Sequence, residues 1–425
     1  MSDDLSARDT ISDDDPADSP ATSGERAGKR RGRGKKRYKV LTVVTACVVT
    51  LGLVAGLGAT YFYRHLNDNI DYQNYSDQLN NRPAKKDVAG PQEPMNILVM
   101  GSDTRDGEGN NIDGLTGDGE RSDTTILFHL SADRSTAYGI SIPRDSLVDR
   151  PECTDEDGKT IPGADNVMWN EAFAVGGPAC TMQQFEQLTG IRLDNYVKVD
   201  FNGFRDMVDA IDGVEVCLPE AVEDPAHGIS IPAGTREVRG KEALNYVRAR
   251  YTLGDGSDLG RIKRQQAFIA AMASKLLSAG TLTRVDRVVG FLDAATSSLQ
   301  TDFKSVTQIA KVGNSFKGIG ADQIRFVTVP WQYSPEDPNR VAWLPEADAL
   351  WKRVINDEPL PARLTPDVIT AADDVSGSNG SNSGSGAGAN TGNDAGSSTG
   401  AGDGGGIGGT ADDQAAARES AGLCT

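Results

Sequence analysis

Runs of apolar and polar residues divide this chain before any single motif is considered. Val40 to Tyr63 contains no charged residue. As a helix this stretch rises about 36 Å, against a bilayer hydrocarbon core of about 30 Å. The basic run Lys29–Lys39 precedes it and Tyr61-Phe62-Tyr63 closes it, the flanks of a membrane anchor with a cytoplasmic N-terminus. A cleaved signal sequence ending near Leu57-Gly-Ala59 is the competing reading, but the apolar run and the segment before it are both long for one.

After a polar spacer, short apolar runs bounded by turn residues predict buried strands at Asn96–Gly101, Thr124–Leu130 and Thr136–Ile142. Further strands are expected at Tyr196–Asp200, Val214–Cys217 and Ile324–Val329. Helical spacing marks Thr181–Leu188, Gly203–Ile211, Lys241–Tyr246, Ile262–Leu277 and Glu346–Asn356. This alternation predicts an α/β domain, a central mixed sheet with helices on both faces, preceded by one transmembrane helix. Five segments follow: a cytoplasmic tail over 1–39, acidic then basic and expected to be disordered; the anchor, 40–63; an extracytoplasmic spacer, 64–93; the folded domain, 94–365; and a Gly/Ser/Ala-rich tail, 366–425, too poor in apolar residues to build a core.

Composition narrows the chemistry. The net charge of −18 argues against a nucleic-acid binder, whose domain carries a basic face. The three histidines, His65, His129 and His227, are scattered and lack cysteines at zinc-ligand spacing. No P-loop occurs, and no G-x-S-x-G elbow lies in the patterned region. Cys47 falls inside the apolar run. Cys153, Cys180, Cys217 and Cys424 fall in the exported part, where disulfides persist. Four cysteines allow three pairings; Cys153–Cys180 is favoured because it brackets one loop, and Cys217–Cys424 would then leave no odd thiol.

Against this acidic background two clusters of arginine stand out. One joins Arg121-Ser-Asp123 to Ser141-Ile-Pro-Arg144-Asp145; the other joins Arg248-Ala-Arg250 to Arg261-Ile-Lys-Arg264-Gln265. Paired guanidinium groups beside carboxylates suit a phosphate held through a divalent metal. Asp103, just past one strand, and Asp123, at the start of the next, meet at one sheet edge if the strands are neighbours, and offer Mg²⁺ two carboxylates. Read separately, Asp103 is an Asx turn and Asp123 a solvated strand end. Arg248 and Arg250 share a face if extended, and Arg261 and Gln265, four apart, share a helix face flanked by Arg264; the bland alternative for that helix is a solvated basic surface.

Gly101-Ser-Asp-Thr-Arg105, Arg121-Ser-Asp-Thr124, Ser141-Ile-Pro-Arg-Asp145, Asn170-Glu-Ala-Phe-Ala-Val-Gly-Gly177, Leu188-Thr-Gly-Ile191, Val199-Asp-Phe-Asn-Gly-Phe204, Gly213-Val-Glu-Val216, Tyr246-Val-Arg-Ala-Arg250 and Gly260-Arg-Ile-Lys-Arg-Gln-Gln266 together resemble the LytR-CpsA-Psr family, over essentially the whole patterned region. The loop between Asp103 and Asp123 is longer than the family's. The resemblance implies a membrane-anchored phosphotransferase that moves a glycopolymer from a polyprenyl-pyrophosphate carrier to muramic acid of peptidoglycan. It assigns Mg²⁺, or Mn²⁺ in its place, to Asp103 and Asp123. It assigns pyrophosphate binding to Arg121, Arg144, Arg248, Arg250, Arg261 and Gln265, and catalysis to Asp103, Asp123 and Arg121. Asp103 is the family-style base, a role that competes with metal ligation; Asp145 is an alternative, or a partner that orients an arginine. Two other activities use the same residues: hydrolysis of polyprenyl pyrophosphate, and non-catalytic binding of the carrier in a regulator. A DNA-binding regulator would need a cytoplasmic folded unit, and only residues 1–39 lie inside.

Overall fold

The computed structural model describes residues 34–102, 122–224, 229–249, 254, 256–373, 415, 418–419 and 421–424. Asp103, Arg121 and Arg250 lie outside the described residues. Two compact units divide the chain, residues 1–60 and 61–425. In the first, the described residues belong to helix α1, Gly34–Asp68, whose side chains are exposed from 38 to 60. Tyr38–Asp68 is long and apolar enough to cross a membrane. The helix outruns the apolar stretch at both ends because the lysines, arginines and asparagine that flank it do not stop a helix.

In the second unit the central sheet is built from eight strands: β1 (Asp71–Tyr72), β2 (Met95–Ser102), β3 (Ser122–Leu130), β4 (Ala137–Ile142), β5 (Asn195–Val199), β6 (Leu299–Thr301), β7 (Ile324–Thr328) and β8 (Ile369–Thr370). Their spatial order is β1-β6-β5-β2-β3-β4-β7-β8. The sheet is mixed: β2–β3–β4 is an antiparallel meander, and β5 and β7 add parallel to its two sides. Alternation splits the side chains between two layers. Leu98, Met100, Leu127 and Ile140 pack on one face against helix α2 (Glu171–Thr189) and the Glu346–Ile355 helix. Val99, Gly101, Ile126 and Phe128 point to the other face, beneath helices α3 (Phe201–Ala210), α4 (Gly240–Arg248) and α5 (Asp258–Leu277). Gly139 is required by packing: a Cβ there would stand 2.5 Å from the Phe326 ring.

Several expectations shift. Val214–Leu218 pairs with Gly234–Val238 in a separate ribbon, not with the central sheet; Val214 and Val216 bury themselves against α3 and α4 instead. Helix α2 begins ten residues before Thr181, across a kink at Gly176 and Gly177, where Gly177 has φ of +60°; only glycine enters that region freely. The spacer is part of the fold, since Leu66, Tyr75 and Leu79 are buried and β1 pairs with β6. Past residue 365, Ile369 joins the sheet edge and the last residues return to it, with Ala421 and Leu423 buried beside Phe326 and Ala270. Both disulfides form as expected, Cys153–Cys180 and Cys217–Cys424, and Cys47 is free and exposed.

Candidate functional site

Strand alternation and three helix faces together enclose a cavity of about 230 Å³ on the α3–α4–α5 side of the sheet. Its floor is Val99 and Gly101 of β2 and Thr124, Ile126 and Phe128 of β3, each two apart and so on one face. Along α5 the lining changes character: Arg261 and Gln265 come first, then Phe268, Ile269 and Met272, a run of about 16 Å at the helical rise. Helix α3 repeats this gradient from Asp200 through Phe201 and Phe204 to Met207. One end of the cavity is therefore charged and the other apolar, with aromatic and thioether walls.

At the charged end the carboxylates and guanidinium groups interleave. Asp123, second in β3, accepts from Nη1 of Arg144 at 2.5 Å. Pro143 fixes the exit of β4, so the Arg144 side chain turns back toward β3. Its Nε also lies 3.2 Å from Asp258 and 3.7 Å from Asp145. Asp258 continues the network to Nη2 of Arg261 at 2.5 Å, three residues along α5. Asp145 continues it to Arg340 at 3.3 Å. Burial alone would weaken the charged form of Arg144, but Asp123 and Asp258 outweigh it and hold the guanidinium above its ordinary value. Gln265 is fixed from both sides, accepting from Thr124 Oγ1 at 3.1 Å and donating to the Val247 carbonyl at 3.2 Å.

The structure thus brings Asp123, Arg248, Arg261 and Gln265 to one cavity mouth, with Arg144 bound to Asp123. Arg248 is not in an extended segment: it is the last residue of α4, and its guanidinium lies over the Phe201 ring at 4.7 Å from the centroid. The expected two-residue clamp with Arg250 is therefore replaced, for Arg248, by a helix end. Arg264 is not a solvated basic flank either. It is fully buried and donates to the carbonyls of Ala249 and Ala421. Asp145 holds Arg340 and Arg144, the orienting role considered for it.

Asp258 and Arg340 were missed by reading arginine spacing alone. For Asp258 the signal was present: Ser257-Asp258 opens α5, and Asp258 precedes Arg261 by three residues. Nothing local marks Arg340. Among the described residues no group of three or more His, Cys, Asp or Glu stands ready to hold a metal. The lining at the mouth includes the oxygen-bearing side chains of Asp123, Asp200 and Ser102, the donor type a hard cation such as Mg²⁺ takes, although Asp200 already caps α3 by accepting from the Gly203 N–H at 2.7 Å. The other expected ligand, Asp103, is outside the described residues.

Residues 60–353 match the LytR_cpsA_psr family model. The chain belongs to the LytR_cpsA_psr family. Among its relatives is the cell wall biosynthesis protein LcpA of Corynebacterium glutamicum, 32% identical over 258 residues, which are 55% of this chain and 49% of LcpA. The probable cell wall biosynthesis protein LcpB of the same organism is 35% identical over 230 residues, 52% of each chain. The chain spans about half the length of these two LytR_cpsA_psr proteins. A third family member, the polyisoprenyl-teichoic acid–peptidoglycan teichoic acid transferase TagV of Bacillus subtilis, is 26% identical over 313 residues, 72% of this chain and 74% of TagV. The crystal structure of B. subtilis TagV superposes with a TM-score of 0.48, over 63% of this chain and 99% of that one.

Proposed function

We propose that this chain is a membrane-anchored phosphotransferase that moves a glycopolymer from a polyprenyl-pyrophosphate carrier to peptidoglycan. The observation that carries this reading is the cavity's polarity gradient: an apolar trough for a prenyl chain ends at Asp123, Arg248, Arg261 and Gln265, where a diphosphate would lie. Relatives named for cell wall biosynthesis and for teichoic acid transfer support it.

In the proposed step a hydroxyl oxygen of muramic acid attacks the sugar-bearing phosphorus. The P–O bond to the bridging oxygen breaks, polyprenyl monophosphate leaves, and the hydroxyl proton passes to a base. Arg248 and Arg261 balance the diphosphate, and Arg144 fixes Asp123 and Asp258 around it; preorganised charge of this kind supplies most of the rate gain in phosphoryl transfer. Asp123 with Asp103 would hold a Mg²⁺ or Mn²⁺ ion, which would add charge neutralisation at the transferred phosphate. Arg121 and Arg250 complete the anion site in this proposal, and Asp103 is the candidate base. Helix α1 is the membrane anchor found among the described residues, with its basic N-terminal flank cytoplasmic and the cavity-bearing unit outside.

The test follows labelled glycan from a defined lipid diphosphate into uncross-linked peptidoglycan, with and without Mg²⁺, for wild type, Arg121→Ala and Asp123→Ala. Metal-dependent transfer lost in both variants is the expected result. Phosphate release that ignores peptidoglycan would make the protein a pyrophosphatase; carrier binding without turnover would make it a carrier-binding regulator.

A further inference from the structure

Beside the charged mouth lies a cavity of about 180 Å³ whose lining includes Asp145, Asp258, Tyr333 and Asn339. Ion pairs link the linings of the two cavities. Arg144 joins Asp123 of the first to Asp145 and Asp258 of the second, and Arg261 of the first binds Asp258 of the second. Tyr333 is 58% exposed, so part of its ring is open to a ligand. Its ring meets that of Trp331 edge to face, with centroids 5.3 Å apart, and Trp331 lines a further cavity of about 380 Å³. The aromatic pair therefore places one ring on each of two hollows.

This pair is held in place relative to the charged network. Its strand, Trp331–Tyr333, pairs with Val341–Trp343, and that strand is tied to the loop after β4. Val341 N–H donates to the Asp145 carbonyl at 3.2 Å, and Trp343 Nε1 donates to Ser146 Oγ at 3.2 Å. The charged groups lining the smaller cavity, Asp145 and Asp258, are both already neutralised by arginines. That leaves a ligand without net charge but rich in hydroxyls to donate to carboxylate oxygens, and with a C–H face to lay on an aromatic ring.

We infer that the cavity and the Tyr333–Trp331 pair form a saccharide subsite beside the transferred phosphate. The assignment rests on the phosphotransferase reading for its role, and on the cavity alone for its chemistry. A sugar reaches this place from either of two sources, the glycan of the acceptor or the glycan of the donor.

The test uses the full-length chain in detergent, as wild type and Tyr333→Ala. A soluble N-acetylglucosamine–N-acetylmuramate oligosaccharide is first titrated against both by saturation-transfer NMR. Transfer kinetics then vary acceptor and donor separately, with bare polyprenyl diphosphate as the sugar-free competitor. Loss of one stacked ring is expected to weaken oligosaccharide binding, and to raise the acceptor KM, about three- to tenfold, with donor KM and melting temperature unchanged. If only the glycan-bearing donor weakens while bare polyprenyl diphosphate does not, the subsite stands and its sugar is the donor's. Oligosaccharide binding that depends on Tyr333, in a wild type that transfers nothing, would sink the phosphotransferase reading and keep the subsite. Unchanged binding and unchanged KM for both substrates would overturn the inference.

Discussion

Arg144 is the residue on which the charged site turns. Its guanidinium meets Asp123, Asp145 and Asp258, carboxylates delivered by a strand start, a loop and a helix start. A lysine there keeps the charge but presents a point donor in place of a planar fork, so it cannot span those carboxylates at once. Arg144→Lys is therefore expected to fold, yet to lose roughly 10²-fold in kcat for transfer, the scale of removing one preorganised donor. Single-turnover kinetics with bound lipid diphosphate check this; a kcat within a factor of two of wild type would mean the fork is not needed. Arg264 shows that neighbouring arginines can have unrelated work. It is three residues beyond Arg261 on the same helix, but it is fully buried and donates to two backbone carbonyls, so it braces the fold.

Among the elements, α5 joins the site to the rest of the unit. Arg261, Gln265, Phe268 and Met272 lie on its cavity face, while Lys263 points elsewhere, donating to the Asp367 carbonyl at 2.6 Å. Burial lowers the Lys263 ammonium to about 8, against which Asp367 pulls upward. An unfolded chain holds this proton until about pH 10.4, so between about pH 8 and 10 the unfolded state binds more protons than the folded one. Stability from this group therefore rises with pH across that window, by at most about 3 kcal/mol, and is flat below it. Lys263→Met should abolish the rise, measured as urea midpoints at pH 7.5 and 9.5; an identical pH slope in the variant would refute the assignment. Short continuous apolar runs made β2, β3 and β4 legible in the sequence, because strands covered by helices on both faces need no polar alternation, and helical spacing did the same for the long apolar face of α5. Val214–Leu218 was legible as a strand but not as a ribbon, since its pattern is the same whichever partner it pairs with. The arginines of the site were legible through their contrast with an acidic chain. Their partners Asp258 and Asp145 were not, or only as asides, because single aspartates beside helices and turns are common and only the tertiary fold gathers them.

At the scale of the whole cavity-bearing unit, the C-terminus acts as a latch. Cys424 is bridged to Cys217 across 207 residues of sequence, and the segment beside it buries Ala421 and Leu423 against the sheet. Arg264 carries this latch toward the site, with one Nη on the Ala421 carbonyl and the other on the Ala249 carbonyl, next to Arg248. Closing a loop of that length removes enough freedom from the unfolded chain to stabilise by about 3–5 kcal/mol. Cys424→Ser should therefore lower the melting temperature by roughly 5–10 °C. It should also release the last residues to proteolysis and weaken carrier binding, because the brace on Ala249 loses its second anchor. Leu423→Asp separates packing from cross-linking: it keeps the bridge but places a carboxylate among Phe326, Ala270 and Ala421. If the bridge alone holds the latch, this variant keeps carrier affinity. If burial of the segment is what positions Ala249, both variants lose affinity together, and wild type under reducing conditions follows them. A Cys424→Ser protein with unaltered melting temperature and unaltered affinity for polyprenyl diphosphate would show that the C-terminal segment is held without the disulfide and has no hold on the arginine site.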